Sequence, residues 1–154
     1  MDNIEYVYTR GMNDSELSEK LSTANTGVLS LANDSDAYGI PLAHYYDGER
    51  LYLRLGVTDG SQKQAFIEET TTATYVVYGN PGAEGSWNPD SWSVIVTGRL
   101  VELPKKEEAE FDTAAINREF SALRVFDEAI DELDVQLYEF EIDSLTGRTT
   151  LRGD

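Results

Sequence analysis

The alternation of apolar and polar positions predicts a chain built mainly from β-strands. Leucine occupies every second position from 51 to 55, with Tyr52 and Arg54 between the leucines. Successive strand residues point to opposite faces, so this stretch predicts a strand with one apolar face. The same reasoning, with runs of β-branched and aromatic residues, predicts strands at 26–32, 38–46, 50–55, 72–78, 91–103 and 135–143.

Turn and helix signals separate these strands. Asn33–Asp36 and Asp47-Gly48 predict tight hairpin turns. A helix is predicted at 14–24, capped by Asn13 or Asp14. Further helices are predicted at 61–69, from Pro104 to about 123, and at about 127–133, with a Gly/Pro/Asn-rich loop at 80–90.

Six strands joined by hairpins and short helices predict a mainly β fold with small helices, a six-stranded antiparallel barrel. Pro41 lies inside a strand pattern, which confines it to an edge or a bulge, and Gly98 indicates a bend or a close backbone approach. In the last strand, Tyr138, Phe140 and Ile142 are expected to face inward. No repeat or linker divides the chain, so residues 1–154 are expected to form a single domain.

The charge narrows the classes of partner. The formal net charge is −17, and nucleic acids and anionic membranes both require a basic surface, so neither is an expected partner. The acidic residues are dispersed along the chain, as in proteins of salt-accumulating halophiles; an ordinary acidic cytosolic protein is the alternative. The chain has no cysteine, no long apolar run and no basic-apolar leader. We therefore expect a cytoplasmic location, without disulfides, thiolate chemistry or a membrane span.

Lys63 is unusual in so acidic a chain, which has only four lysines. Ser61 and Gln64 fit a capping box for the helix at 61–69, but Lys63 in its first turn opposes the helix dipole. Amides at a helix start, a hydroxyl and an ammonium together form an anion site. Arg54, at the end of the preceding strand, could converge on the same phosphate. A capped helix start with an ordinary surface lysine remains the alternative.

Other reactive side chains carry weaker signals. His44 is the sole histidine, so it is expected to be a hydrogen-bonded strand residue rather than a metal ligand or a member of a catalytic triad. No metal site and no acid–base catalyst is predicted. Trp87 and Trp92 flank a loop and could cover a flat ligand or pack at a dimer interface; the alternative is that they anchor the loop.

Several segments, taken in order, resemble the pyridoxamine 5′-phosphate oxidase-like, FMN-binding split-barrel family. The resemblance covers about residues 14–103, and the end of the chain is similar to the closing strand of haloarchaeal members. The segments are YGIPLAHYYDGERLYLRL (38–55), GSQKQAFIEE (60–69), TATYVVYG (72–79), WSVIVTGRLVEL (92–103) and VQLYEFEIDSLTGR (135–148).

The resemblance implies a homodimer with FMN in a groove at the subunit interface. Family members hold the FMN phosphate with Ser-Arg-Lys, and here these positions are Ser61, Gln62 and Lys63. Arg54 matches a polar residue that also faces the phosphate. The strand backbone that edges the flavin ring corresponds to Ile40, Pro41, Leu42 and Ala43. Ser93, with Trp92 beside it, occupies the position of a glutamine that reaches the flavin in the oxidases.

Departures from the oxidase pattern limit the activity that is implied. Tyr38 and Ala43 stand where the oxidases carry arginine and lysine, and the chain ends without their terminal tryptophan. The expected function is therefore a flavin-dependent oxidoreductase that is not a true pyridoxamine phosphate oxidase, with an unidentified small-molecule substrate or electron donor. One alternative is a non-enzymatic flavin or deazaflavin (F420) carrier or sensor; another is a barrel scaffold that binds a protein and no cofactor.

Overall fold

The computed structural model describes residues 9–56, 62–79, 91–103 and 135–150. Within these ranges the chain forms seven strands and two helices. The loop predicted at 80–90 and the helices predicted after Pro104 lie outside the described residues. The elements are β1 (Thr9–Gly11), α1 (Asp14–Thr23), β2 (Thr26–Asn33), β3 (Asp36–Tyr46), β4 (Leu51–Gly56), α2 (Gln62–Glu69), β5 (Ala73–Gly79), β6 (Trp92–Glu102) and β7 (Val135–Thr150).

Six of the strands close into an antiparallel barrel, which confirms the predicted fold class. The order is β7-β4-β3-β2-β5-β6, and β6 pairs back onto β7 to complete the ring. The short β1, which the sequence did not predict, pairs with the end of β7. Closure pairs most of the strand edges that a six-stranded open sheet would expose.

The predicted hairpin turns are confirmed by the backbone. β2 and β3 are joined through Asp34 and Ser35, whose φ angles are 54° and 80°. Two positive φ angles in a two-residue loop match the twist of the paired strands. Between β3 and β4, Gly48 has φ 100°, and the Asp47 carboxylate accepts two backbone N–H bonds at 2.9 and 2.7 Å.

The barrel interior is apolar and is closed at its two ends by the helices. Leu51, Leu53 and Leu55 face the interior and are almost fully buried, as predicted. α1 contributes Leu17 and Leu21 to the same core at the end where β2 begins. Asn13 caps α1 in a complete capping box with Glu16, and α2 contributes the buried Phe66 at the opposite end.

β7 is longer than predicted. It continues to Thr150 because the first half of β6 needs a pairing partner, and Trp92 lies opposite Thr149. Apolar residues alternate along β7 at Tyr138, Phe140 and Ile142, and the alternation stops there. Tyr138 and Phe140 are buried, and Ile142 is partly buried against the core. Backbone pairing with β6 and β1 therefore extends this strand beyond the alternating apolar pattern.

The two special residues predicted within strands occupy the expected environments. A bulge interrupts the β6–β7 register at Thr97/Gly98. A side chain at Gly98 would overlap the Glu141 carbonyl oxygen, so the close backbone approach is confirmed. Pro41 lies in the part of β3 that pairs only with β2, which confirms its edge position. Neither described helix has the length and apolar character needed to cross a membrane.

Candidate functional site

An open strand edge forms where β3 and β4 separate. β3 pairs with β2 along Asp36–Ala43, but its pairing with β4 begins only at Ala43. Among the described strands, the first part of β3 therefore has a partner on one side alone. The backbone of Ile40–Leu42 lies along this edge. The side chains of Ile40 and Leu42 are buried in the core, whereas Pro41 is exposed on the outer face.

Arg54 lies on the outer face of the barrel next to this edge. It is the register partner of Ala43, and paired residues in an antiparallel ladder project to the same side of the sheet. Arg54 is half-buried, and burial lowers its pKa from the usual arginine range. The pKa of arginine is so high that the guanidinium remains charged at neutral pH.

Lys63 is at the start of α2, and its side chain reaches back to the end of β4. Its Nζ donates to the carbonyl oxygen of Gly56 at 2.6 Å. Gly56 is two residues beyond Arg54 on the same strand, a distance of about 7 Å along the backbone. The structure thus brings two cationic side chains to the end of β4, beside the open edge of β3.

The start of α2 is positioned by contacts along the rest of the helix. Phe66 stacks on Tyr38 of β3 with ring centroids 5.2 Å apart. The Thr70 hydroxyl oxygen lies 3.1 Å from the carbonyl oxygen of Ala32. The backbone N–H of Ala32 donates to the same hydroxyl oxygen at 3.1 Å. These contacts fix α2 against β2 and β3. Tyr38, at a position where the oxidases carry arginine, is therefore used for packing.

The electrostatics at the helix start favour an anion. The first turn of α2 contains no acidic residue, in contrast to α1, whose first turn contains Asp14 and Glu16. Gln62 is exposed at this end of the helix. Ser61 lies outside the described residues, so its capping box with Gln64 stays a prediction.

Trp92 and Ser93 lie elsewhere on the barrel. They begin β6, and β2 and β5 separate β6 from β3. Three strand spacings amount to about 14 Å, so one chain does not bring Ser93 to the β3 edge. The Lys20 ammonium lies 5.0 Å from the Trp92 ring centroid. Trp87 lies outside the described residues.

His44 is a structural residue, as predicted. Its side chain is 1% exposed. Nε2 lies 3.0 Å from the Leu21 carbonyl oxygen, to which it must donate, and Nδ1 accepts from the Tyr75 hydroxyl at 2.7 Å. Burial lowers the pKa of His44, which favours this neutral form. Across the described ranges, no cluster of His, Cys, Asp or Glu is suited to a metal ion.

Sequence reasoning missed one further concavity, a cavity of about 420 Å³ beside the start of α1. It lies beside the part of β7 that pairs with β6 alone, between the end of the pairing of β7 with β4 and the start of its pairing with β1. No cationic side chain lines it, so it is a poorer phosphate site than the end of β4. Its lining residues are Asp14, Ser15, Ser18, Tyr46, Gly48 and Leu145.

The fold and the site define a split β-barrel protein in which two cationic side chains, Arg54 and Lys63, lie beside an open strand edge. Residues 13–149 match the family model described as pyridoxamine 5′-phosphate oxidase, and the chain belongs to that family. No curated protein matches the chain.

Several solved structures share the fold. A FAD-binding protein from Mesorhizobium loti is 20% identical with a TM-score of 0.71, over 94% of this chain and 99% of that one. A FAD and haem binding protein from Mycobacterium smegmatis is 15% identical with a TM-score of 0.68, over 94% and 74% of the two chains. General Stress Protein 26 from Bacillus anthracis is 16% identical with a TM-score of 0.58, over 91% and 98%. At these identities the likeness shows the fold alone.

Proposed function

We propose that the chain binds a flavin, FMN, along the open edge of β3, with its phosphate at the end of β4. The observation that carries the proposal is the convergence of Arg54 and Lys63 beside that edge. In a chain with net charge −17 and four lysines, two neighbouring cations constitute a local site for an anion. Ser61 and Gln62 complete the proposed phosphate contacts.

The chemistry of these groups fits a phosphomonoester. A guanidinium can bind two phosphate oxygens at once, and an ammonium adds a second charge-assisted hydrogen bond. The α2 start contributes backbone N–H groups without an acidic side chain of its own in the first turn. The Lys63 ammonium carries three donors, and one of them goes to the Gly56 carbonyl oxygen at the end of β4.

The β3 edge suits a flat ring. Pro41 lacks an N–H and so discourages the addition of another strand, which leaves the backbone of Ile40–Leu42 accessible to a small ligand. When bound, the flavin would supply the redox chemistry. The residues of the chain would bind the phosphate, orient the ring along the strand and shield one side of it from water.

Two activities remain compatible with a bound flavin. The first is an oxidoreductase that uses an unidentified small-molecule electron donor. The second is a carrier or sensor, and it is favoured by one observation: the only histidine of the chain, His44, is held in the core by two hydrogen bonds. It is therefore not available to move protons at the β3 edge. Stopped-flow mixing with NADH and NADPH separates the two, since only the oxidoreductase reduces its flavin rapidly.

The choice of cofactor is testable by titration. FMN, FAD and the deazaflavin F420 are added in turn to cofactor-free protein in molar KCl, and binding is followed by flavin fluorescence. We expect FMN to bind most tightly. A flavin ring that lies along the β3 edge would place the terminal phosphate of FMN beside Arg54 and Lys63. Tighter binding of FAD, the ligand named for two of the structural neighbours, would refute the assignment of FMN. Failure of all three would refute flavin binding.

We also propose that two copies of the chain act as a pair, in a cytoplasm that is rich in salt. Trp92 and Ser93 are three strands away from the β3 edge within one chain, so they could contact the flavin only from a partner. The dispersed acidity, with net charge −17, supports a solvent in which salt screens the repulsion between acidic side chains.

A further inference from the structure

A gap in the barrel wall leaves part of β7 without a strand on one side. β7 pairs with β4 from Val135 to Phe140 and with β1 from Arg148 onward. Between these two stretches it pairs with β6 alone among the described strands. The cavity of about 420 Å³ at the start of α1 lies beside this gap, and Leu145 of β7 is one of its lining residues. We call this space the gap cavity.

The backbone of Leu145 directs its hydrogen-bonding groups into the gap. Along an antiparallel strand, the N–H and C=O groups of successive residues point alternately to the two sides. The carbonyl oxygen of Gly147 accepts from Met12 N on the gap side at 3.0 Å. Leu145 is two residues before Gly147, so its own N–H and C=O groups face the gap as well. No backbone group of the described residues pairs with them there.

An edge residue of this kind is a template for a short extended ligand. A residue whose N–H and C=O both point outward can exchange two hydrogen bonds with one residue of an added strand. The gap covers residues 141–147, about 23 Å at 3.3 Å per residue, and β4 and β1 close it at its two ends. It therefore admits a ligand of a few residues and excludes a long strand.

The side chains that line the gap cavity favour a positive charge. Asp14 contributes a carboxylate, Ser15 and Ser18 contribute hydroxyls, and none of the lining residues is basic. Glu16, the other acid of the first turn of α1, already forms an ion pair with Arg10, whereas the Asp14 carboxylate has no such partner among the described residues. The net charge of −17 further favours a cation over an anion.

The wall opposite α1 is formed by the hairpin between β3 and β4. The Tyr46 hydroxyl donates to the Gly48 carbonyl oxygen at 3.1 Å, and both residues line the cavity. The Asp47 carboxylate accepts from two backbone N–H groups of its own turn, so it is already engaged. This wall thus adds an aromatic ring, a group that attracts cations, and no further carboxylate.

We propose that the gap cavity binds an α-amino amide, the chemical group found at the free amino end of a peptide. The carbonyl oxygen of the ligand accepts from Leu145 N–H, and its ammonium donates to the Leu145 carbonyl oxygen, which is the exchange made by a bonded pair of antiparallel strands. The same ammonium lies next to the Asp14 carboxylate. The cavity volume falls within the range of small-molecule sites, about 300–1,000 Å³.

This site is distinct from the proposed flavin site in position and in charge. It lies at the end of the barrel that α1 covers, whereas Lys63 lies at the start of α2 at the opposite end. Its lining includes a carboxylate and no cation, the reverse of the end of β4. The proposal therefore does not depend on flavin binding.

The test uses three probes that differ in one feature each. Alanyl-alanine amide carries the ammonium and the amides, its N-acetyl derivative lacks the charge, and n-butylamine carries the ammonium without a carbonyl. Each is titrated into the full chain labelled with ¹⁵N, and the backbone amide signals of Leu145 and Gly147 are followed by NMR. The KCl concentration is the lowest at which circular dichroism shows folded protein, because salt screens the attraction to Asp14.

We expect alanyl-alanine amide to shift the Leu145 amide signal. The N-acetyl derivative should bind at least about tenfold more weakly, because it loses a charge-assisted hydrogen bond. n-Butylamine should bind about three- to tenfold more weakly, because it leaves Leu145 N–H without an acceptor.

Two matched substitutions assign the charge preference to one side chain. Asp14→Asn and Glu19→Gln each remove one negative charge from α1, but Glu19 is exposed and does not line the cavity. Asp14→Asn should reduce the preference for the free amine over its N-acetyl derivative to less than about threefold. Glu19→Gln should retain the preference of the wild type.

Four results would overturn the proposal. An unshifted Leu145 signal means that the gap is not a binding site, and equal affinity for the acetylated probe means that no amine is recognised. Equal affinity for n-butylamine excludes pairing with the β7 edge. Equal effects of the two substitutions mean that only net charge matters. Repeating the titration with FMN present separates the two sites: binding of the amide by a protein that takes up no flavin supports this site and refutes only the proposed function.

Discussion

Substitution of Lys63 by alanine tests whether this lysine binds a phosphate or is an ordinary surface residue. The side chain donates to Gly56 O at 2.6 Å and is half-buried. Loss of a hydrogen bond from a charged group to a ligand costs about 1.5–3 kcal/mol. Since 1.4 kcal/mol corresponds to a factor of ten, Lys63→Ala should weaken FMN binding by about 10- to 100-fold. Loss of the Gly56 contact should lower the free energy of unfolding by about 1 kcal/mol.

The assay compares FMN with riboflavin, which has the same ring and lacks the phosphate. Fluorescence titrations in molar KCl give both dissociation constants for the wild type and for Lys63→Ala. We expect the preference for FMN over riboflavin to fall while the affinity for riboflavin stays within about twofold, because the ring contacts are retained. Arg99→Ala is the charge-matched control, since Arg99 forms an ion pair with Glu141 on another part of the wall.

Two results would refute this reasoning. If Lys63→Ala weakens FMN and riboflavin equally, the lysine supports the fold near the ring rather than the phosphate. If Lys63→Ala and Arg99→Ala have the same effect on FMN binding, only the overall charge of the protein is involved.

Three further predictions concern the scaffold that holds the site. Gly98→Ala should lower the free energy of unfolding by about 1–3 kcal/mol, because the added carbon would overlap the Glu141 carbonyl oxygen. Gly39→Ala, whose added carbon would make only an ordinary contact with Val28 Cγ1 at 4.0 Å, should change it by less than about 0.5 kcal/mol in urea titrations. Burial lowers the pKa of His44 below its unfolded value of 6.5, so the unfolded state binds the proton more readily. The wild type should therefore lose stability relative to His44→Gln as pH falls below about 6.5, by at most about 1.4 kcal/mol per pH unit, and parallel curves for the two proteins would contradict this. Asn13→Ala should remove the α1 cap and lower the melting temperature through a loss of about 1 kcal/mol, and an unchanged value would show that the cap contributes nothing.

Much of the barrel could be predicted from the sequence because alternation reports burial directly. The leucines of β4 and the turns at Asp34-Ser35 and Asp47-Gly48 follow from local patterns, and the structure confirms them. β1 and the last residues of β7 follow no such pattern. Many of their side chains are exposed, and the backbone pairing of Thr9 with Thr150 and of Trp92 with Thr149 extends across the barrel from residues far apart in the chain.

The candidate site was predictable in part. The isolated positive charge of Lys63 and the outward position of Arg54 in β4 were visible as local features. Their convergence depends on the distance that α2 spans back to Gly56, which no periodicity encodes. The separation of Ser93 from the β3 edge depends on strand order, and strand order is a property of the closed barrel rather than of any single segment.

The absorption spectrum of the purified protein tests the central claim most directly. The protein is purified in molar KCl, its spectrum is recorded, and FMN is added before removal of unbound ligand by gel filtration. We predict two flavin bands, one in the near-ultraviolet and one in the visible region, that co-elute with the protein and that weaken in Lys63→Ala. A folded protein that elutes colourless after exposure to FMN and to FAD would contradict the account.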